Sequence, residues 1–122
     1  MTTQAVLIIF LALVIKHFVV DFLLQSDWQV REKGYYGKLG GIVHSSLHSV
    51  ATLLVVTYFV PLQLALLLAF FDFFMHYHVD WAKMQINRRL GLTPADHRFW
   101  HLLGIDQLLH YLTYVGIVAI TL

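Results

Sequence analysis

Two segments, HFVVDF at residues 17–22 and HYHVDW at residues 76–81, each place a histidine four residues before an aspartate at the end of a long apolar run. HSSLH at 44–48 and DQLLH at 106–110 repeat that spacing with a His/His and an Asp/His pair. Residues four apart on an α-helix differ by about 40° around the axis and share one face. His17, Asp21, His44, His48, His76, Asp80, Asp106 and His110 thus form four vertical pairs, all of metal-ligating type. Imidazole mixed with carboxylate suits Zn²⁺, Fe²⁺ or Mn²⁺ and is too rich in nitrogen for Mg²⁺ or Ca²⁺. The chemistry open to such a set is metal-assisted hydrolysis. A proton or ion relay and plain interhelical hydrogen bonding are the competing uses. A charged group at mid-bilayer costs about 3 kcal/mol on insertion scales. An interhelical hydrogen bond returns about 0.6 kcal/mol, so eight ionisable side chains are a poor way merely to stitch helices together.

The elements that must carry these pairs are membrane spans. The 122 residues are 59% hydrophobic and only 12% charged, against roughly a quarter charged in a soluble domain. A span needs about 20 mostly apolar residues, and the stretches 4–24, 42–60, 62–81 and 105–122 qualify. The expected fold is all-α: a single transmembrane domain over 1–122, a four-helix bundle made of two helical hairpins related as a parallel repeat. Spans two and three are separated only by the neighbourhood of Pro61. A net charge of +1 excludes a nucleic-acid footprint, and the absence of cysteine excludes disulfides and thiolate metal sites. The first stretch lacks the basic n-region and small-x-small site of a cleaved signal peptide.

Orientation follows from the basic residues. Arg31, Lys33 and Lys38 fall in the loop 25–41, and Lys83, Arg88, Arg89 and Arg98 in the loop 82–104. Both loops are expected in the cytoplasm and both termini outside, in the inner membrane, with Trp28, Tyr35, Tyr36, Trp81 and Trp100 as an interfacial belt. SDWQ (26–29) reads as a capping box before a short helix that Gly34 stops; TPAD (93–96) offers Thr93 as the N-cap of the last helix. Glycines 34, 37, 40 and 41 read as turn punctuation. Lys16 lies inside span one and must snorkel or pair, with Asp72 at similar depth. All eight pair residues fall toward the cytoplasmic half, and the outer halves carry almost no polar side chain.

A shift of 59 residues lays HFVVDF on HYHVDW, and three more lay HSSLH on DQLLH, so a repeated hairpin accounts for the duplicated His/Asp motif. Two equivalent clusters then meet at a pseudo-two-fold axis. Three carboxylates balance two divalent ions and a bridging hydroxide, which predicts two metal ions. Asp21 and Asp80 are the candidate bridging, catalytic carboxylates. Gln25 on the Asp21 face, Gln107 beside Asp106, and His78 are candidates for supporting the ligands, although His78 lies about 200° around the helix from His76. HSSLH and HRFWH (97–101) have the H-x-x-x-H form of membrane di-iron boxes, but the H-x-x-H-H boxes are missing. His pairs four apart are too close for two haems. His97, Arg98 and His101 suit a solvated surface or a lipid phosphate.

The series H-x-x-x-D-F-x-x-Q (His17, Asp21, Phe22, Gln25), H-x-x-x-H (His44, His48), H-x-x-x-D (His76, Asp80) and D-Q-x-x-H (Asp106, Gln107, His110) resembles a family of small bacterial and phage membrane proteins, domain of unknown function 3307. The resemblance covers nearly the whole chain and implies an inner-membrane helical protein, with no activity attached. A looser similarity is to predicted inner-membrane metal-dependent hydrolases, which also set His and Asp on several spans. The leading expectation is metal-dependent hydrolysis of a lipid-linked ester or phosphoester. The alternatives are a metal-ion or proton transporter and a small membrane effector with a structural metal. Expected partners are membrane lipid and a lipid-linked substrate, with a homo-oligomer left open.

Overall fold

Thr2 opens the first helix by accepting the Ala5 amide on its hydroxyl at 3.2 Å. In the computed structural model, which describes residues 1–122, every regular element is helical. Helix α1 (Thr3–Phe18) runs directly into a π-helical turn, Val19–Leu23. The capping box at Ser26 is present: Ser26 Oγ accepts the Gln29 amide, the Gln29 side chain accepts the Ser26 amide, and α2 (Asp27–Glu32) follows. Helices α3 (Leu39–Val56), α4 (Leu62–Leu90) and α5 (His97–Thr121) complete the chain.

Four helical stretches are long and apolar enough to cross a membrane: Thr3–Leu23, Leu39–Val56, Leu62–Leu90 and His97–Thr121, with mean hydropathies of 2.5, 1.6, 1.4 and 1.4. Leu7, Leu11, Leu54, Leu67, Phe70 and Leu112 point outward, each more than half exposed. In water that surface would drive aggregation; against lipid chains it is the expected exterior. The chain is a membrane protein built as an all-helical bundle. α3 packs on α4, α4 on α5, and α1 closes the ring against α3 and α5. One end of the ring is filled by Ile9, Leu13, Val56, Ala65, Leu68, Tyr114, Ile117 and Val118.

Helix limits differ from the expected spans in three places. α4 continues nine residues past 81, because 82–90 (AKMQINRRL) is rich in helix formers and meets no breaker before Gly91, whose φ of 60° ends it. α5 starts at His97 with Asp96, not Thr93, as its N-cap: Asp96 Oδ1 accepts the Arg98 amide at 2.9 Å. α3 covers 39–56 and takes Gly40 and Gly41 into its first turn, so these two are not turn residues. Their smallness serves contact. A Cβ at Gly40 would stand 2.7 Å from Glu32 Cβ, and one at Gly41 3.0 Å from Lys33 Cα. α2 therefore lies directly on α3 and carries Lys33 inward.

Candidate metal centre

The π turn Val19–Leu23 holds Asp21. Such one-turn bulges re-aim side chains and recur at functional sites. Here the carboxylate meets four imidazoles. Asp21 Oδ1 lies 2.9 Å from His48 Nε2, 3.1 Å from His44 Nε2 and 3.7 Å from His76 Nε2, while Oδ2 lies 3.1 Å from His17 Nε2. Asp80 Oδ2 lies 3.2 Å from His44 Nε2 and 3.5 Å from His76 Nε2, and Oδ1 3.3 Å from His110 Nε2. His110 Nε2 is also 3.4 Å from Asp106 Oδ1. All eight pair residues thus converge, on ring edges presented by α1, α3, α4 and α5 together.

Two overlapping groups have the compactness a metal ion requires. Asp21, His44, His48 and His76 each bring a donor atom within 4.8 Å of the others, and so do His76, Asp80 and His110. They cut across the two hairpins, since His76 of α4 joins the first group. His76 Nε2 faces both, and one imidazole lone pair serves one ion.

Hydrogen bonds separate the candidate ligands from the residues that would support them. His17 Nε2 faces two acceptors, Asp21 Oδ2 and Gln107 Oε1 at 3.0 Å, so it carries the proton; Tyr114 then donates its hydroxyl to His17 Nδ1 at 2.9 Å. His48 Nδ1 lies 3.2 Å from the Lys16 Nζ ammonium, which can only donate, so its proton also sits on Nε2 and points at Asp21. His17 and His48 therefore brace Asp21. His44 and His76 are different. Their Nδ1 atoms are buried without a hydrogen-bond partner, and all their polar contacts are at Nε2. Those two nitrogens lie 3.3 Å apart and 3.1 and 3.7 Å from Asp21 Oδ1. A tetrahedral ion with arms of 2.0–2.1 Å needs donor separations of about 3.3 Å. Asp21, His44 and His76 fit three corners of such a site; His48 Nε2, 2.9 Å from Asp21 Oδ1, belongs to the same compact group and leaves the fourth corner free only while it keeps its proton.

Several residues of the centre lie outside the sequence motifs. Lys33 is buried, with Nζ 3.1 Å from Asp80 Oδ2 and 2.8 Å from Gln25 Oε1. Burial pulls its ammonium down, and the Asp80 and Asp21 carboxylates push it the other way by more, so its pKa lies above the ordinary lysine value. Lys83 Nζ is 3.9 Å from Asp106 Oδ2. In the sequence both are topology residues, and no spacing rule ties either to its partner. Lys16 does pair with Asp72, at 2.7 Å, and Thr52 Oγ1 donates to the same carboxylate oxygen at 2.6 Å. With Lys16, Lys33 and Lys83 each beside a carboxylate, Asp21 is the one aspartate of the buried set without a lysine.

The remaining candidates are placed as follows. Gln25 donates to the Asp21 carbonyl at 3.0 Å, and Gln107 donates to Asp106 Oδ2 at 3.1 Å. His78 stands apart, between the Tyr36 hydroxyl at 3.0 Å and the Phe74 carbonyl at 2.7 Å, so it supports no residue of the centre. His97 and His101 are exposed, and Arg98 is held by Asp96, Nη2 to Oδ2 at 2.7 Å.

The sequence matches the family described as "Protein of unknown function (DUF3307)" over residues 9–122. The chain belongs to that family. The DUF3307 match takes in all eight pair residues together with Lys16, Lys33 and Tyr114. No curated protein and no solved structure matches the chain.

Proposed function

We propose that this DUF3307 protein is a membrane metallohydrolase that cleaves an ester or phosphoester of a membrane lipid. The observation that carries the reading is the triangle of Asp21 Oδ1, His44 Nε2 and His76 Nε2, with edges of 3.1, 3.3 and 3.7 Å. Three protein donors with an open fourth position is the arrangement of catalytic rather than structural sites. Bound there, a divalent Zn, Fe or Mn ion would acidify a water and polarise the substrate oxygen.

One ion per chain is the better count once the lysines are included. Lys33 and Lys83 offset Asp80 and Asp106, which the two-ion balance had left to the metal. A divalent ion against Asp21 alone keeps a positive charge, which suits an anionic ester. Asp80 then acts as a base candidate beside His44 and His110, not as a second bridging ligand. In hydrolysis the water oxygen bonds to phosphorus or to the acyl carbon. The ester oxygen leaves and takes up one of the water protons, a transfer for which Asp80 or His110 is placed. His17, His48, Gln107 and Tyr114 hold Asp21 in position through the contacts given above.

The centre's polarity supports an inner-membrane orientation with both termini outside: Arg31, Lys33, Lys38, Lys83, Arg88, Arg89 and Arg98 all sit at or beyond one end of the bundle. The apolar plug of Ile9, Leu13, Val56, Ala65, Leu68 and Ile117 at the other end weighs against a transmembrane conduit. The test is turnover of lipid esters and phosphoesters in mixed micelles by protein loaded with Zn²⁺, Mn²⁺ or Fe²⁺. Activity that a chelator abolishes and metal restores, and that Asp21→Asn lacks, is the expected result. Metal binding without turnover, together with metal flux in proteoliposomes, would refute hydrolysis in favour of transport.

A further inference from the structure

Two cavities open beside the centre and meet at one residue. The first, about 580 Å³, lies between α2, the end of α4 and the start of α5. Its walls include Lys33, Lys83 and Arg88 with Gln25 and Asn87, and no carboxylate lines it. Arg88 is braced by stacking 4.1 Å over the Tyr35 ring. Three cations around a volume typical of small-molecule sites favour an anion. The second cavity, about 250 Å³, is a groove between α4 and α5 lined mainly by Val79, Ile86, Leu102, Ile105 and Leu109; Asp106 and His78 also border it, the Asp106 carboxylate 3.9 Å from Lys83 Nζ. Lys83 lines both. Gln25 and Lys33 form the floor of the cationic cavity, and their other contacts are the Asp21 carbonyl and the Asp80 carboxylate.

We propose that the ligand of these joined cavities is a lipid phosphate, its anionic head held by Lys33, Lys83 and Arg88 and its apolar chain lying in the α4/α5 groove. This rests on the hydrolase reading for its catalytic meaning, but binding can be measured without turnover. An apolar groove that faces lipid and ends at a cluster of cations matches an amphiphile with charge at one end only. A free phosphate would use the cations and leave the groove without a purpose. Lys33 couples the two sites. Its ammonium can exchange the Asp80 carboxylate for a phosphate oxygen, which keeps an ion pair throughout and frees Asp80 next to His44 and His110.

The test uses the full chain carrying Asp21→Asn, which removes turnover from the measurement. Binding of dioleoyl phosphatidic acid, dioleoylglycerol, glycerol 3-phosphate and inorganic phosphate is followed in detergent by mass spectrometry of the intact complex. Phosphatidic acid is expected to bind most tightly. Arg88→Ala and Lys83→Ala should each weaken it by about tenfold or more, the effect of losing a hydrogen bond to a charged group. Ile105→Trp, which fills the groove and touches no cation, should weaken phosphatidic acid and leave glycerol 3-phosphate unchanged. Arg88 and Ile105 lie outside the buried centre, so their variants also guard against a failure to fold. If inorganic phosphate or glycerol 3-phosphate binds as well as phosphatidic acid and Ile105→Trp changes nothing, the lipid assignment is wrong. If dioleoylglycerol binds equally well, the phosphate assignment is wrong. Tight phosphatidic acid binding by a protein that hydrolyses nothing would leave this proposal standing and remove the hydrolase reading.

Discussion

The two ends of the bundle are built from opposite materials. At the loop end, four helices turn His17, Asp21, His44, His48, His76, Asp80, Asp106 and His110 toward one another, and Lys33 at the end of α2 and Lys83 on α4 join them. At the other end the same helices close on Ile9, Leu13, Val56, Ala65, Leu68, Ile117 and Val118. The border between them is a buried trio, with Lys16 and Thr52 both bonded to Asp72 Oδ2. The difference teaches that the chemistry of this protein is one-sided. Its polar groups form a buried cluster at the end that carries the basic loops, bounded on the other side by the Lys16–Asp72 pair and the apolar plug, not a file of sites leading across. The two hairpins differ as well. Asp21 faces imidazoles only, whereas Asp80, its partner in the repeat, has a lysine at 3.1 Å.

The largest effect is expected at the border. Lys16→Met leaves Asp72 buried without its cation and should cost about 3–5 kcal/mol, the usual penalty for breaking a buried pair from one side. Lys16→Met combined with Asp72→Leu should recover most of it, as read by thermal unfolding in detergent. Full stability in the single variant would show the border to be wetter than described. Next, Leu13→Ala opens a cavity in the apolar end and should cost about 2–4 kcal/mol while leaving metal content unchanged. Metal loss there would mean that the two ends are not independent. Tyr114→Phe removes the donor to His17 Nδ1, a contact of 2.9 Å. It should weaken metal binding by about tenfold, at the low end for residues that brace a ligand, with little change in unfolding temperature. The smallest effect belongs to Asp96→Ala, which should speed amide exchange at Arg98 in the first turn of α5 and leave the centre untouched. Hydrogen bonds from the Arg98 side chain and amide hold the Asp96 carboxyl down to about 2. With its pKa depressed on folding, the cap is intact above the ordinary carboxylate range, and in the unaltered protein this first turn loosens only as pH falls through about 2.

Much of this was readable from the sequence, because helix periodicity is a local rule. The four spans, the capping box at Ser26, the convergence of the His/Asp pairs and the Lys16–Asp72 pairing all follow from spacing and depth. What was not readable came from contacts between distant residues. Lys33 looked like any loop cation until the Gly40–Gly41 turn of α3 let α2 carry it onto Asp80. Tyr114 looked like part of an apolar run, and its hydroxyl finds His17 only because α5 packs on α1. The π turn at Asp21 has no spacing signature; an ideal helix already sets His17 and Asp21 on one face. Two ions follow from the carboxylates alone, and the proposed count of one follows once Lys33 and Lys83 are set beside Asp80 and Asp106.

The most direct test of the central claim is metal stoichiometry by elemental analysis, on the unaltered protein and on Asp21→Asn, both purified gently and both shown to be folded by their thermal transitions. About one transition-metal ion per chain is predicted in the unaltered protein and almost none in the variant, since a directly coordinating side chain should matter at least as much as its supports, whose loss costs about 10–100-fold in affinity. A folded protein without metal, or an Asp21→Asn variant that keeps its ion, would contradict the account. Two ions per chain would show that Lys33 and Lys83 do not neutralise Asp80 and Asp106 in the way the charge balance requires.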